Sequence, residues 1–180
     1  MMQNTGQSCN APSRMLVQKG IYDQVVAEAA AIADKVTVGP ASEEGRHIGP
    51  VVNEVQWNKI QGMIEVGIAE GAKLVAGGPG RPEGLNRGFY VKPTVFADVN
   101  NQMVIAQQEI FGPVLAIIPF ETEEEAVEIA NDTPYGLAGY VSAGSVESAN
   151  RVGRQIRAGN VNLNGVPNER TAPFGGYKQS

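Results

Sequence analysis

Val114-Leu115-Ala116-Ile117-Ile118-Pro119-Phe120 is a nearly unbroken apolar run of strand length. With no polar residue at alternate positions, such a run is expected of a strand covered on both faces of its sheet. The residues immediately downstream support that reading. Thr122, with Glu125 three residues later, has the pattern of a capping box and opens a helix ending near Asn131. The acidic run from Glu121 to Glu125 suits a helix start, where negative charge meets the positive end of the dipole. Residues 136–143 then read as a strand, Ser145 to Ala158 as a second capped helix, and 159–164 as a last strand.

Working upstream, Phe89 to Phe96 is β-rich, and Pro93 within it points to an edge position or a bulge. Lys73 to Ala76 is a short strand leading into the exposed loop Gly77-Gly78-Pro79-Gly80-Arg81-Pro82-Glu83-Gly84. A helix from about Asn53 to Gly71 precedes it, with Val55, Ile60, Ile64, Val66 and Ile68 as its apolar positions. An earlier helix covers 21–38, placing Ile21, Val25, Ala29, Ile32 and Val36 on one face before Gly39-Pro40 stops it. Arg14 to Gln18 is a short opening strand, and the Pro- and Gly-rich tail 166–180 reads as an ordered loop. Alternating strands and helices predict parallel pairing through right-handed crossovers. The expected fold is therefore α/β, a layered parallel-sheet domain with helices on both faces.

At 180 residues the chain fits one domain, large enough to bury roughly 70% of the surface its unfolded form exposes. A net charge of -5 argues against nucleic acid and anionic membranes as partners. No apolar run reaches the ~20 residues of a membrane span, and the N-terminus has no secretory pattern. One cysteine excludes an intramolecular disulfide and fits a reducing compartment, so the cytoplasm is expected. In such a compartment the sequon-like Asn131-Asp132-Thr133 stays unmodified.

Three segments could carry chemistry. In Asn4-Thr5-Gly6-Gln7-Ser8-Cys9 the thiol lies among polar residues, a poor setting for apolar packing and a suitable one for supporting an oxyanion. A buried small hydrophobe is the competing reading. In Gln107-Gln108-Glu109-Ile110-Phe111-Gly112-Pro113, a carboxylate and an aromatic sit just ahead of the buried strand. They could hold a ribose hydroxyl and a flat ring, or be a solvated glutamate and a core phenylalanine. In Pro173-Phe174-Gly175-Gly176-Tyr177-Lys178, two glycines let the backbone approach another segment or a ligand. His47, the only histidine, sits in a polar loop and reads as solvated surface, and Trp57 reads as packing. No cluster of metal-ligand type occurs, so no metal is expected.

Taken together and in this order, these segments resemble the aldehyde dehydrogenase superfamily. Asn4 to Cys9 is similar to its nucleophile signature, and Glu109-Ile110-Phe111-Gly112-Pro113-Val114 to its nicotinamide-side signature. Asn131 with Tyr135-Gly136-Leu137, Gly159 to Asn164, and Pro173-Phe174-Gly175-Gly176 match further landmarks. The resemblance covers essentially the whole chain. It implies that Cys9 attacks an aldehyde as a thiolate and passes through a thiohemiacetal and a thioester to a carboxylic acid. It implies that Glu109 and Phe111 position the nicotinamide end of NAD or NADP. It also implies that the loop containing Asn168, Glu169 and Arg170, together with Phe174, lines the substrate entrance.

The chain also departs from the family pattern. No dinucleotide-binding fingerprint is present, since Gly78, Gly80 and Gly84 miss its spacing and no helix follows them. By the resemblance, NAD(P) is bound mainly by a separate domain, which also brings the second oxyanion donor and the general base. Asn4 is therefore not the oxyanion asparagine. We expect a truncated catalytic domain over 1–180, without the dinucleotide-binding domain or the C-terminal strand through which subunits associate. The parent protein is expected to be a homodimer or homotetramer. The chain alone is expected to be inactive and to self-associate through a newly exposed apolar face. Two other functions compete with the oxidoreductase: a non-catalytic binding or assembly module, and a cysteine-dependent ester hydrolase.

Overall fold

The computed structural model describes residues 1–167 and 171–180. The chain forms two compact units, Met1–Pro119 and Phe120–Ser180. The fold is α/β, as expected.

In the first unit, β1 (Arg14–Gln18), β4 (Val114–Phe120), β3 (Thr94–Ala97) and β2 (Lys73–Ala76) lie side by side in that order. β3 and β4 are parallel, whereas β2 and β3 are antiparallel, so the expected all-parallel pairing fails at that edge. The bulge expected near Pro93 lies instead in β2, between Leu74 and Ala76. Pro93 has no N–H to contribute, so pairing starts one residue later, where the Thr94 N–H donates to the Pro113 carbonyl at 2.8 Å. β3 is consequently an interior strand.

Helices cover both faces of this sheet. Val95 and Ile117 pack in one cluster with Tyr22 and Ala33 of α1 (Tyr22–Lys35). The next residue, Phe96, points the other way and meets Gly67 of α2 (Glu54–Ala69), as strand alternation requires. A Cβ at Gly67 would lie 3.2 Å from the Phe96 ring and 3.0 Å from Ile105 of α3 (Val104–Gln107). Glycine there permits close packing at a cost in helix propensity of about 1 kcal/mol.

The buried face of α1 coincides with the predicted ridge only at Val25 and Ala29. Tyr22, Val25, Val26, Ala29, Ala30 and Ala33 face the core, while Ile21 and Ile32 are 53% and 62% exposed. The helix also stops at Lys35, because Val36 turns extended. On α2, Ile60, Met63 and Ile64 are buried but Val55 is 78% exposed. The sequence periodicity therefore locates both helices and part of each buried face, Val25 and Ala29 on α1 and Ile60 and Ile64 on α2, but turns inward other apolar residues that stay exposed. The Tyr22 hydroxyl is held between the Asp98 N–H, which donates to it at 2.6 Å, and the Ile117 carbonyl, to which it donates at 3.4 Å. Burial raises its pKa above the ordinary tyrosine value.

In the second unit, β5 (Ala138–Val141) and β6 (Asn160–Leu163) pair in parallel around α5 (Val146–Gly153). α4 (Glu123–Asn131) precedes them. The predicted caps hold. Thr122 Oγ1 accepts from the Glu125 N–H at 3.2 Å, and Ser145 Oγ accepts from the Ser148 N–H at 3.1 Å. Glu125 reaches back to the Glu121 N–H at 2.7 Å, one residue before the cap itself. Arg151 bridges to Glu123 at 2.7 Å, and its hydrogen bond lowers the Glu123 pKa.

α5 ends five residues earlier than the sequence predicts. Beyond it, the Asn131 side chain donates to the Gln155 carbonyl at 2.9 Å and accepts from the Arg157 N–H at 2.8 Å, drawing the chain out of helical geometry. β5 likewise loses its first two predicted residues. The Gly136 carbonyl is already occupied by the Gly159 and Tyr177 N–H groups, at 2.9 and 3.0 Å.

Candidate active site

The cysteine segment is a left-handed turn. Asn4, Thr5 and Gly6 have φ of 51°, 54° and 69°. Such a run is unfavourable for residues bearing a Cβ, so it must be held by other contacts. Three sets of bonds hold it. The Asn4 side chain donates to the Gln7 carbonyl at 2.8 Å, while the Asn4 carbonyl accepts from the Gln7 N–H at 3.0 Å. Thr5 is buried, and its hydroxyl donates to the Gly49 carbonyl at 2.9 Å. Gln7 Oε1 accepts from the Val52 N–H at 2.9 Å. Beyond this anchored turn Cys9 is exposed, not packed as a small hydrophobe.

Gly6 also joins the cysteine segment to the second motif. A Cβ on Gly6 would overlap the carbonyl of Gly112. Gly112 in turn rests on Ile60, whose Cγ1 would be 2.8 Å from an added Cβ. The backbones of Asn4–Cys9 and Glu109–Pro113 are thus pressed together over α2.

The second motif is strained at one residue. Phe111 has φ of 56°, a left-handed value rare for an aromatic and costing about 1–3 kcal/mol. Three successive carbonyls there accept hydrogen bonds from α2. Lys59 Nζ donates to the Glu109 carbonyl at 2.7 Å, and Gln56 Nε2 donates to those of Ile110 and Phe111 at 3.0 and 2.8 Å. A regular strand turns successive carbonyls to opposite sides, so only the kink at Phe111 lets all three face one helix. Ile110 is buried, Phe111 is half-buried and the Glu109 side chain is exposed. Ile110 is therefore the core anchor, which leaves the carboxylate and the ring toward the outside.

The third motif belongs to the second unit. Phe174 is 68% exposed. Its glycines serve backbone approach to another segment: a Cβ at Gly159 would overlap the Gly175 carbonyl, and one at Gly176 would lie 3.2 Å from the Gly136 carbonyl. Lys178 Nζ completes the junction by donating to the carbonyls of Asn131 and Thr133, at 2.6 and 3.0 Å. Asn168, Glu169 and Arg170, expected at the substrate entrance, lie outside the described residues.

His47 is not simply a solvated residue. It is half-buried against Gly39 and Gly45, with Nε2 at 2.9 Å from the Pro40 carbonyl, and it organises its own loop. A cleft of about 610 Å³ opens between Gln3–Thr5 and Arg46–Val52, and Cys9 lies outside its lining. Among the described residues no group of three or more His, Cys, Asp or Glu side chains could hold a metal ion. Among the same residues no helix is long and apolar enough to cross a membrane.

The whole chain, residues 1–180, matches the aldehyde dehydrogenase family model. It belongs to that family. A 3-succinoylsemialdehyde-pyridine dehydrogenase from a Pseudomonas species is 54% identical over all 180 residues, which are 38% of its own length. A putative aldehyde dehydrogenase of Staphylococcus aureus is 48% identical with the same coverage. The chain therefore spans 38% of the curated relatives it matches.

Solved aldehyde dehydrogenases share this fold closely. That of Bartonella henselae superposes with a TM-score of 0.97 at 52% identity, over 98% of this chain and 37% of that one. Aldehyde dehydrogenase C of Pseudomonas syringae, a mutant in complex with NAD+ and octanal, gives 0.96 at 50% identity over 98% and 36%. The aldehyde dehydrogenase motifs identified in sequence include Cys9, Glu109 and Phe111, but not the residues that hold them. Gln7, Gln56 and Lys59 escape a sequence reading because their partners lie about 45–55 positions away, beyond any local pattern.

Proposed function

We propose that these residues form the nucleophile-bearing part of an NAD(P)-dependent aldehyde dehydrogenase, with Cys9 as the attacking thiol. The observation that carries this reading is the close contact of Gly6 with Gly112. It sets the loop of an exposed cysteine against the segment bearing Glu109 and Phe111, in a chain that matches the family throughout.

Cys9 as a thiolate adds to the aldehyde carbonyl, giving a tetrahedral thiohemiacetal whose oxygen carries the negative charge. A nearby backbone N–H, such as that of Cys9, is suited to stabilise that oxyanion. The cofactor, when bound, supplies the hydride acceptor that turns this adduct into a thioester. Water then cleaves the C–S bond, releasing the carboxylic acid and restoring the thiol. The residues present fit the cofactor's nicotinamide end. Glu109 offers an exposed carboxylate as acceptor for a ribose hydroxyl, and the half-buried Phe111 offers a ring beside it. By the family resemblance, Phe174 and residues 168–170 are assigned to the substrate entrance. A reducing compartment such as the cytoplasm keeps Cys9 as a thiol.

The base that activates water and the second oxyanion donor are assigned to the part of the relatives beyond these 180 residues. The chain by itself is accordingly proposed to bind NAD(P) weakly and not to turn over aldehydes. The test is NADH formation from an aldehyde by the native gene product, with and without Cys9→Ala. Loss of at least about a thousandfold is expected for removal of a covalent nucleophile. Retention of most of the activity in Cys9→Ala would remove Cys9 from the mechanism.

A further inference from the structure

We propose that His47 is a positioning residue for the Cys9 turn, a role that rests on the assignment of Cys9 as the attacking thiol above. The chain from Thr37 to Ile48 is a closed loop. The Ile48 N–H donates to the Thr37 carbonyl at 2.9 Å and the Gly39 N–H to the Ile48 carbonyl at 3.0 Å, so its two ends are tied as a parallel bridge. Residues 41–46 within it are exposed. Among the described residues, the only side-chain hydrogen bond made inside the loop is that of His47, whose Nε2 lies 2.9 Å from the Pro40 carbonyl. A carbonyl can only accept, so Nε2 carries the proton and donates it. The same carbonyl takes the Glu43 N–H at 3.0 Å, which occupies both of its lone pairs. The ring is wedged between two glycines. A Cβ at Gly39 would lie 3.0 Å from its Cδ2, and one at Gly45 would lie 2.8 Å from its Nδ1.

The residues that follow this loop hold the Cys9 turn. Gly49, directly after Ile48, accepts from the buried Thr5 hydroxyl at 2.9 Å, and the Val52 N–H donates to Gln7 Oε1 at 2.9 Å. These two bonds reach the turn from 44 and 45 positions away. On the far side of Gly49, the Val51 N–H is fixed to the Phe89 carbonyl at 2.9 Å. Gly49 itself has no packing support. A Cβ added there would meet nothing within 4 Å, so no neighbour presses on that residue, and glycine leaves its backbone free to turn. The direction of the Gly49 carbonyl is therefore set along the chain, by the bridge at Ile48 and by the His47 brace just before it. His47 acts on Cys9 through Gly49 and Thr5.

The test compares the native gene product with its His47→Met and His47→Gln variants. Methionine fills much of the space of the ring but has no donor, whereas the glutamine amide offers an N–H at similar reach. The loop is exposed, so neither change threatens the core. Two things are measured: kcat and KM for aldehyde oxidation, and hydrogen exchange of the peptide containing Val51 and Val52. We expect His47→Met to lower kcat about fivefold, the effect of one net hydrogen bond lost from the positioning of the reacting thiol. The KM for the cofactor should not change. Exchange at Val52 should quicken by a similar factor, as its bond to Gln7 loosens. His47→Gln should recover most of both effects.

An unchanged kcat in His47→Met overturns the positioning role while leaving Cys9 as the nucleophile. So does a fall in kcat without faster exchange at Val52, because the brace then does not act through the stretch from Gly49 to Val52. A loss of kcat shared equally by His47→Met and His47→Gln makes the histidine a structural support only, and the role is rejected. Failure of the nucleophile assignment shows separately, as activity retained in Cys9→Ala, and it removes the role with it.

Discussion

Gly6 and Gly112 meet backbone to backbone, with the Gly112 carbonyl filling the space that a side chain on Gly6 would need. Gly6 is left-handed as well, at φ 69°. Gly6→Ala therefore incurs both a conformational penalty of about 1–2 kcal/mol and a backbone clash that no rotamer can relieve. We expect a loss of more than about 2 kcal/mol in urea unfolding. Cys9 should at the same time change its alkylation rate, because its loop must move. A loss below about 0.5 kcal/mol would show that the two segments do not press on one another as described.

Phe111 gives an unusual ordering of substitutions. Alanine and glycine both remove the ring, but only glycine accepts φ of 56° without strain. Phe111→Gly should therefore be more stable than Phe111→Ala by about 1 kcal/mol, opposite to the usual order in regular structure. Thermal denaturation of the pair decides the matter, and an alanine variant equal to or better than glycine would refute the strain.

Tyr22 couples stability to alkaline pH. Burial holds its pKa above the ordinary 10.0, so the folded chain keeps the phenolic proton more tightly than the unfolded chain does. Its contribution is then fully present below the unfolded value and declines as pH rises through the folded one. Tyr22→Phe should cost about 1–3 kcal/mol at neutral pH, because the Asp98 N–H loses its acceptor. It should also flatten the fall in stability above pH 10. Parallel pH profiles for the two proteins would exclude Tyr22 as the source.

Asn131 works as a splint in the second unit, joined to the Gln155 carbonyl and the Arg157 N–H. Asn131→Ala should destabilise that unit by about 1–3 kcal/mol. It should also speed hydrogen exchange at Arg157 and along β6. Unchanged exchange at Arg157 would contradict the splint.

Much of this arrangement is legible in the sequence where the signal is local. Val114 to Phe120 is a strand with the predicted bounds, as are Arg14–Gln18 and Lys73–Ala76. Thr122 and Ser145 cap the helices their side chains announce. These features arise from hydrogen bonds between residues three apart and from apolar runs, which need no knowledge of the rest of the chain.

Features set by distant partners stay hidden. The exposure of Ile21 and Ile32 depends on which face of α1 meets Val95 and Ile117, and small alanines on that face permit a closer approach than isoleucine would. The early end of α5 depends on Asn131, more than twenty positions before the residues it binds. At the candidate site, sequence motifs point to Cys9, Glu109 and Phe111 but give no hint of the kink at Phe111. That backbone shape is imposed by Gln56 and Lys59 from a separate helix.

Trp57, the only tryptophan, comes directly after Gln56. Its indole N–H donates to the Tyr90 carbonyl at 2.9 Å, and the Arg81 guanidinium lies 4.4 Å above its ring. Indole emission responds to nearby charge and hydration, so the light from this one residue reports on the turn of α2 that grips the Glu109–Phe111 carbonyls. The chain therefore carries an optical gauge of its own candidate site, readable without any label, and Arg81→Ala gives the reference signal for the uncovered ring.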